Sequence, residues 1–343
     1  MRERSPLTLP ASLYRDPAIF EAERRSIFAR SWLLLAHESQ MRAPGAVVAA
    51  TVAGFKLMAV RQEDGGIKAF HNVCRHRAGP LAPDGESRCE GRIACAYHGW
   101  RYALDGRLAA ARDFGPAEDF DPRDYGLRRL ACETWRGFVF VNADCDAAPL
   151  LQAIAPLEAR ARDLAIERFT VPHLTSHDIA CNWKTYTENF LEGYHIGAVH
   201  PSLSASLASP YTAEIDPPAQ FYSAEPHRGA AVAGLWGWVW PSLGVNVYAD
   251  GILMERISPV DLKRTRLDYL WLFAEDAGSN AVKAQIEASA VTTREDIWIC
   301  EEVQKNLDAG IYDTGRLSPK HESGIAWFQG EVARRIATAG PPA

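Results

Sequence analysis

Long apolar runs are missing from this 343-residue sequence, and with them any expected membrane helix. Trp32 to Ala36 and Leu235 to Val239 fall far short of the roughly 20 residues needed to cross a bilayer. The amino terminus, MRERSPLTLP, has no apolar core of signal-peptide length, so a cytoplasmic protein is expected. Basic residues (37) are outnumbered by acidic ones (43) and are not gathered into a stripe, which argues against nucleic acid or an anionic membrane surface as partner. The seven cysteines are odd in number and irregularly spaced, so they do not form a secreted disulfide framework; reduced thiols and metal ligation are expected instead. No internal repeat, low-complexity tract or coiled-coil heptad occurs. No GxGxxG follows a strand-like run, so flavin or nicotinamide chemistry must belong to another protein.

What is present is apolar material for more than one core, 47% of residues, and a change of pattern along the chain. Residues 16 to 30 read as a short amphipathic helix, capped by Asp16 with Pro17 in the first turn. From Trp32 to Val141, short β-rich runs such as Val47 to Val52, Phe55 to Val60, Ile67 to Asn72 and Phe138 to Asn142 alternate with turns like Glu63-Asp64-Gly65-Gly66. After Asp144 alanine and leucine take over. Helices are expected over Pro149 to Ala165, Trp183 to about His195 and Ala281 to Leu307, with a loop after His195 reaching roughly Pro218. Strands are expected at Trp236 to Val247, Leu253 to Ile257 and Arg266 to Phe273. The expectation is an N-terminal helical segment 1–30, an all-β domain 31–145 and an α+β domain 146–343.

Inside the β half stands Cys74-Arg75-His76 and, after eighteen intervening residues, Cys95-Ala96-Tyr97-His98-Gly99-Trp100. Each half supplies one thiolate and one imidazole, unlike a zinc finger, which pairs cysteine with cysteine and histidine with histidine. That division suits a [2Fe–2S] centre in which one iron keeps two thiolates and the other takes two neutral imidazoles, raising its potential. Gly79-Pro80, Pro83, Gly85 and Gly99 suit ligands on the tips of two facing loops. A structural zinc site is the competing assignment. The remaining cysteines, Cys89, Cys132, Cys145, Cys181 and Cys300, read as free thiols.

CRHRAGPL followed by CAYHGWRYALDGRL resembles the Rieske domain of ring-hydroxylating oxygenase α subunits, and WLLLAHESQ and IKAFHNVCRHR extend the likeness over nearly the whole β half. Beyond it, ENFLEGYHIGAVHPSL places Glu192, His195 and His200 at spacings of three and five. A five-residue step leaves one helix face, so the chain is expected to unwind near Gly197. Two histidines and a carboxylate form the facial triad of non-haem iron(II) oxygenases, with positions open for dioxygen. The resemblance implies that Asp296, in REDIWICEEVQ, supplies the carboxylate, with the adjacent Glu295 as alternative, on a helix-grip catalytic domain. It also implies that Glu192 is no ligand but a bridge, joining His98 of one chain to His195 of the next in a homotrimer. Electrons from NAD(P)H would arrive through a separate flavin/iron–sulfur reductase, with or without a ferredoxin, and O2 would be the co-substrate. Glutamate at 192, where the family often has aspartate, points toward the branch that oxidises quaternary amines such as carnitine and glycine betaine. An aromatic-ring mono- or dioxygenase and a bare Rieske electron carrier are the alternatives.

Other residues show weaker signals. His37, His71, His173, His177, His227 and His321 have no partner spacing. Trp236, Trp238 and Trp240 alternate, so they either line a substrate cavity or pack a sheet face. Trp100 is expected to pack.

Overall fold

A computed structural model describes residues 5–208, 212–223 and 234–338, and the chain divides into two compact units. His227 lies outside the described residues, as does part of the loop expected before Pro218.

The unit Ala29–Gln152 is built on a seven-stranded antiparallel sheet. Its strands run in the order Leu33–His37, Phe138–Asn142, Arg129–Trp135, Ile67–His71, Phe55–Arg61, Ala46–Val52 and Gly85–Arg88. A second sheet holds Arg92–Ala94, Arg101–Ala103 and Leu108–Ala110. Alternate residues of three strands, Val47, Ala49, Met58, Val60 and Phe70, form one core with Ile93, Trp100 and Tyr102. Cys74 and Cys95 sit in that same core, so the packing that folds the unit also fixes the thiols. Residues 146–152 stay with this unit, beyond the boundary expected at 145. The Trp32 indole N–H donates to the Ala148 carbonyl at 2.9 Å, and the Leu150 N–H to the Glu133 carboxylate at 3.1 Å.

The other unit joins Met1–Phe28 to Ala153–Ala343. Its antiparallel sheet orders Phe169–Ile179, Arg264–Ala274, Gly251–Asp261, Leu243–Val247, Leu235–Val239, Ala219–Ser223 and Thr212–Asp216. The helices Trp183–Phe190 and Ser279–Asp308 pack against its long strands. Asn182 starts the first of them, its side chain accepting from the Lys184 N–H at 3.0 Å. Within that helix Lys184 is wholly buried and paired with Glu23 at 2.6 Å, and Glu23 also accepts from the Trp183 indole at 2.8 Å. Glu23 comes from the helix Pro17–Ser26, capped by Asp16 as expected. A buried pair of this kind fixes the amino-terminal helix to the helix that leads into the histidines.

Several expectations change here. Trp236 to Val247 is two strands, because Pro241 has no N–H for a ladder and the chain turns between Val239 and Leu243. The strands Phe169–Ile179, Thr212–Asp216 and Ala219–Ser223 and the helices Pro201–Ser206 and Ser323–Thr338 were not anticipated. No helix among the described residues is long and apolar enough to cross a membrane.

Candidate metal centres

Two loops carry the first set of donors, and they are near copies. In one, Ala78 N–H bonds the Cys74 carbonyl at 3.1 Å and Cys74 N–H bonds the Gly79 carbonyl at 2.9 Å; in the other, Gly99 N–H bonds Cys95 at 3.1 Å and Cys95 N–H bonds Trp100 at 2.8 Å. Ala78 (φ 54°) and Gly99 (φ 70°) take the left-handed conformation at matching places. Gly79 lets the loops meet, since a Cβ there would stand 2.8 Å from Cys95 Sγ. Cys74 and Cys95 are buried, while His76 and His98 are half-buried with ring centroids 4.6 Å apart.

The Nδ1 atoms of both His76 and His98 are buried without a hydrogen-bond partner. Unpaired buried nitrogens are costly, and two of them beside two thiols are what a metal group would satisfy. Burial pushes the Cys74 pKa up, while the Tyr102 hydroxyl, 3.1 Å from its Sγ, and the His76 N–H favour the thiolate. Among the described residues, only His195, His200 and Asp296 place three such donors tightly enough for one ion. The thiol–imidazole set is spread wider, as a two-iron cluster requires and a single zinc ion does not. Trp100 packs: it is buried and stacks on His76 at 4.8 Å with an interplanar angle of 7°.

The second set forms where the helix Trp183–Phe190 ends. The break falls at residues 191–195, ahead of Gly197, because the Glu192 carboxylate accepts the backbone N–H groups of Tyr194 and His195. Gly197 lies inside a new short helix, Ile196–Val199. That reset brings His195 Nε2 and His200 Nε2 to 3.1 Å of each other, and Asp296 Oδ1 lies 3.0 Å from the second and 3.5 Å from the first. Cis positions on an octahedral ion with bonds of roughly 2.1 Å are separated by roughly 3 Å, so the three atoms suit one face of such an ion.

Each imidazole is held from behind. Glu192 Oε1 lies 2.6 Å from His195 Nδ1, and Glu295 Oε2 lies 2.7 Å from His200 Nδ1. Glu295 therefore faces away from the point where the three donors converge. Burial alone pushes the His195 pKa down, but Asp296 and Glu192 outweigh it and bring it up to about 9. Burial raises Asp296, yet His195, His200 and Asn189 pull it below the usual carboxylate range. A site this rich in carboxylate favours a cation.

Sequence reasoning missed Asn189, whose Nδ2 donates to Asp296 Oδ1 at 2.6 Å; its place one turn before Glu192 was the available signal. It also missed Tyr102, whose hydroxyl accepts from the Arg75 N–H at 3.0 Å. The other described histidines stay apart: His37 caps a turn through Ser39, and His321 stacks on Tyr194. Trp238 packs against Phe328 and Trp327, so for that residue the sheet-face alternative holds.

The Rieske [2Fe–2S] domain matches residues 31–121, and the catalytic domain of the ring hydroxylating alpha subunit matches residues 166–338. The chain belongs to the ring-hydroxylating alpha subunit family. As a member it is a Rieske non-haem iron oxygenase, with a [2Fe–2S] cluster and a mononuclear iron as cofactors. The carnitine monooxygenase oxygenase subunit of Escherichia coli K12 is 32% identical, over 95% of this oxygenase and 93% of that one. Spinach chloroplastic choline monooxygenase is 26% identical, over 94% and 76%. The crystal structure of the quaternary ammonium Rieske monooxygenase CntA with L-carnitine superposes with TM-score 0.86 at 28% identity, covering 97% of this chain and 96% of that one. Naphthalene 1,2-dioxygenase, at 20% identity and TM-score 0.80, shares the fold.

Proposed function

We propose that this oxygenase acts on an N-methylated, quaternary amine, inserting oxygen at a carbon of that substrate. The observation that carries this reading is the near full-length similarity to carnitine and choline monooxygenases, with a glutamate, Glu192, behind the first histidine. In overall balance, a C–H bond, O2, two electrons and two protons give C–OH and water. A carbon hydroxylated next to nitrogen expels the amine and becomes an aldehyde.

In this reading Cys74, His76, Cys95 and His98 hold the cluster, and His195, His200 and Asp296 hold the iron. When bound, the iron activates dioxygen beside the substrate, with electrons relayed by the cluster. Glu192 and Glu295 accept the Nδ1 protons, which fixes each ring and turns its Nε2 lone pair inward. Asn189 keeps one Asp296 oxygen in place. Glu192 also serves as the bridge to His98 of a neighbouring copy in a homotrimer, and a separate flavin/iron–sulfur reductase, with or without a ferredoxin, delivers electrons from NAD(P)H.

The test is turnover with a surrogate reductase, NADH and O2, offering carnitine, choline and an aromatic ring substrate. The reading expects O2-dependent release of a free amine or an aldehyde from a methylated amine. A dihydrodiol from the aromatic substrate, with the amines untouched, would overturn it.

A further inference from the structure

We propose that Glu255 supplies the negative charge that recognises the cationic nitrogen of the substrate, making it a specificity-determining residue of this oxygenase. The inference rests on the quaternary-amine reading above.

Glu255 lies in the strand Gly251–Asp261, opposite Tyr269 on one side and Gly244 on the other. It is 3% exposed, and no basic side chain among the described residues forms an ion pair with it. Its partners are phenols. The Tyr186 hydroxyl donates to Glu255 Oε1 at 2.7 Å, and the Tyr269 hydroxyl lies 3.5 Å from that of Tyr186. Both link it to the iron residues. Tyr186 is one helical turn before Asn189, which bonds Asp296; Tyr269 meets Thr293 Oγ1 at 2.9 Å, one turn before Asp296 itself.

An acid in such a place is expensive as an anion. Burial raises its pKa to about 8, Asp296 adding to the effect and the hydroxyls of Tyr186 and Tyr269 opposing it. The hydroxyls offset only part of that cost, so a cation entering from outside would stabilise the ionised carboxyl further. The surroundings name the class of visitor. Tyr186 bonds the carboxyl, Tyr269 is its cross-strand neighbour, and Tyr248 lies near enough to feel its charge. A Cβ at Gly244 would stand 2.8 Å from the Phe190 ring and 3.3 Å from Glu255 Cβ, so the glycine lets that ring pack close beside the acid. Aromatic faces beside an acid bind methylated ammonium, which has no N–H to donate and is held by charge and ring quadrupole. An uncharged aromatic substrate would gain nothing from Glu255.

The experiment measures binding of carnitine and choline to the holoenzyme, each against its tert-butyl isostere, in which carbon replaces the charged nitrogen. The wild type is expected to prefer the cation by about tenfold or more. Glu255→Gln, which keeps the shape and removes the charge, should bring the two within about threefold while leaving the isostere's affinity unchanged. Glu255→Asp should restore part of the preference. A wild type with no preference sinks the quaternary-amine reading and this assignment together. A wild type that discriminates, with Glu255→Gln discriminating equally well, sinks the Glu255 assignment alone.

Should Glu255→Gln not fold, the wild type still decides. Cation binding favours ionised Glu255, so the preference should grow as pH rises through about 8. The facing groups stay constant over that range: Tyr186, Tyr248 and Tyr269 are all raised and remain neutral, while Asp296 is lowered and remains ionised. A preference independent of pH would overturn the assignment.

Discussion

In the β unit, His76 and His98 keep a buried Nδ1 with no hydrogen-bond partner, whereas in the α+β unit His195 and His200 converge through Nε2 and give Nδ1 to Glu192 and Glu295. The two sites use opposite ends of the same side chain. Which nitrogen a carboxylate occupies decides which one is left for metal, so the tautomer is set by the neighbours and not by the histidine. The sites also differ in reach. The first draws four donors from 25 consecutive residues in two copied loops; the second joins a broken helix to a residue about a hundred positions later.

Removing one proposed ligand from each site separates them most sharply. His76→Ala should abolish the cluster's absorbance and its EPR signal on reduction, while His195→Ala should delete the mononuclear iron and leave the cluster spectrum intact; activity falls to background in both. Loss of both metals in either variant would mean that the units do not hold them independently.

Next come the carboxylates behind the imidazoles, which only the second site has. Glu295→Gln should weaken iron retention by about 10- to 100-fold, read by metal analysis after dialysis against a chelator. Glu192→Ala, loaded with excess iron, should keep both metals yet lose more turnover per cluster oxidised than Glu295→Gln loaded the same way, because it also removes the proposed bridge. Equal behaviour of the two variants in turnover would make Glu192 a support for His195 and nothing more.

The last expected effect falls on stability and not on turnover, and it concerns pH and the β unit. Burial lowers the His37 pKa from 6.5 to about 4, and nearby Arg42 lowers it too. The unfolded chain therefore binds a proton below pH 6.5 that the folded unit refuses until about pH 4. Stability should be unaffected by His37 above 6.5 and fall by on the order of 3 kcal/mol on descending to 4. Denaturant melts of wild type and His37→Gln across that window check it; parallel curves would contradict it.

The difference between the sites also explains what the sequence revealed. Cys-x-His and Cys-x-x-His are legible because local loops build that site, and each motif carries its own turn chemistry. His195 and His200 are legible as a pair, but the choice between Asp296 and Glu295 is not. Adjacent helix residues point about 100° apart, and only the packing of Ser279–Asp308 on the broken helix decides which faces inward. The break itself was misplaced at Gly197 because propensity singled out glycine, whereas the Glu192 side chain, capping its own successors, stops the helix earlier. Strands such as Phe169–Ile179 escaped notice for a related reason. Its exposed middle gives no hydrophobic alternation to read, and it is a strand because Arg264–Ala274 pairs with it.

Iron counting tests the central claim most directly. Anaerobically reconstituted wild type should hold two irons in the cluster and one at the histidine–carboxylate site. Asp296→Ala should lose only the last, with the reduced cluster's EPR signal unchanged, while Glu295→Gln, loaded with excess iron, should still hold all three. Full iron retention in Asp296→Ala, or zinc in place of iron in the wild type, would contradict the division of labour between the two sites.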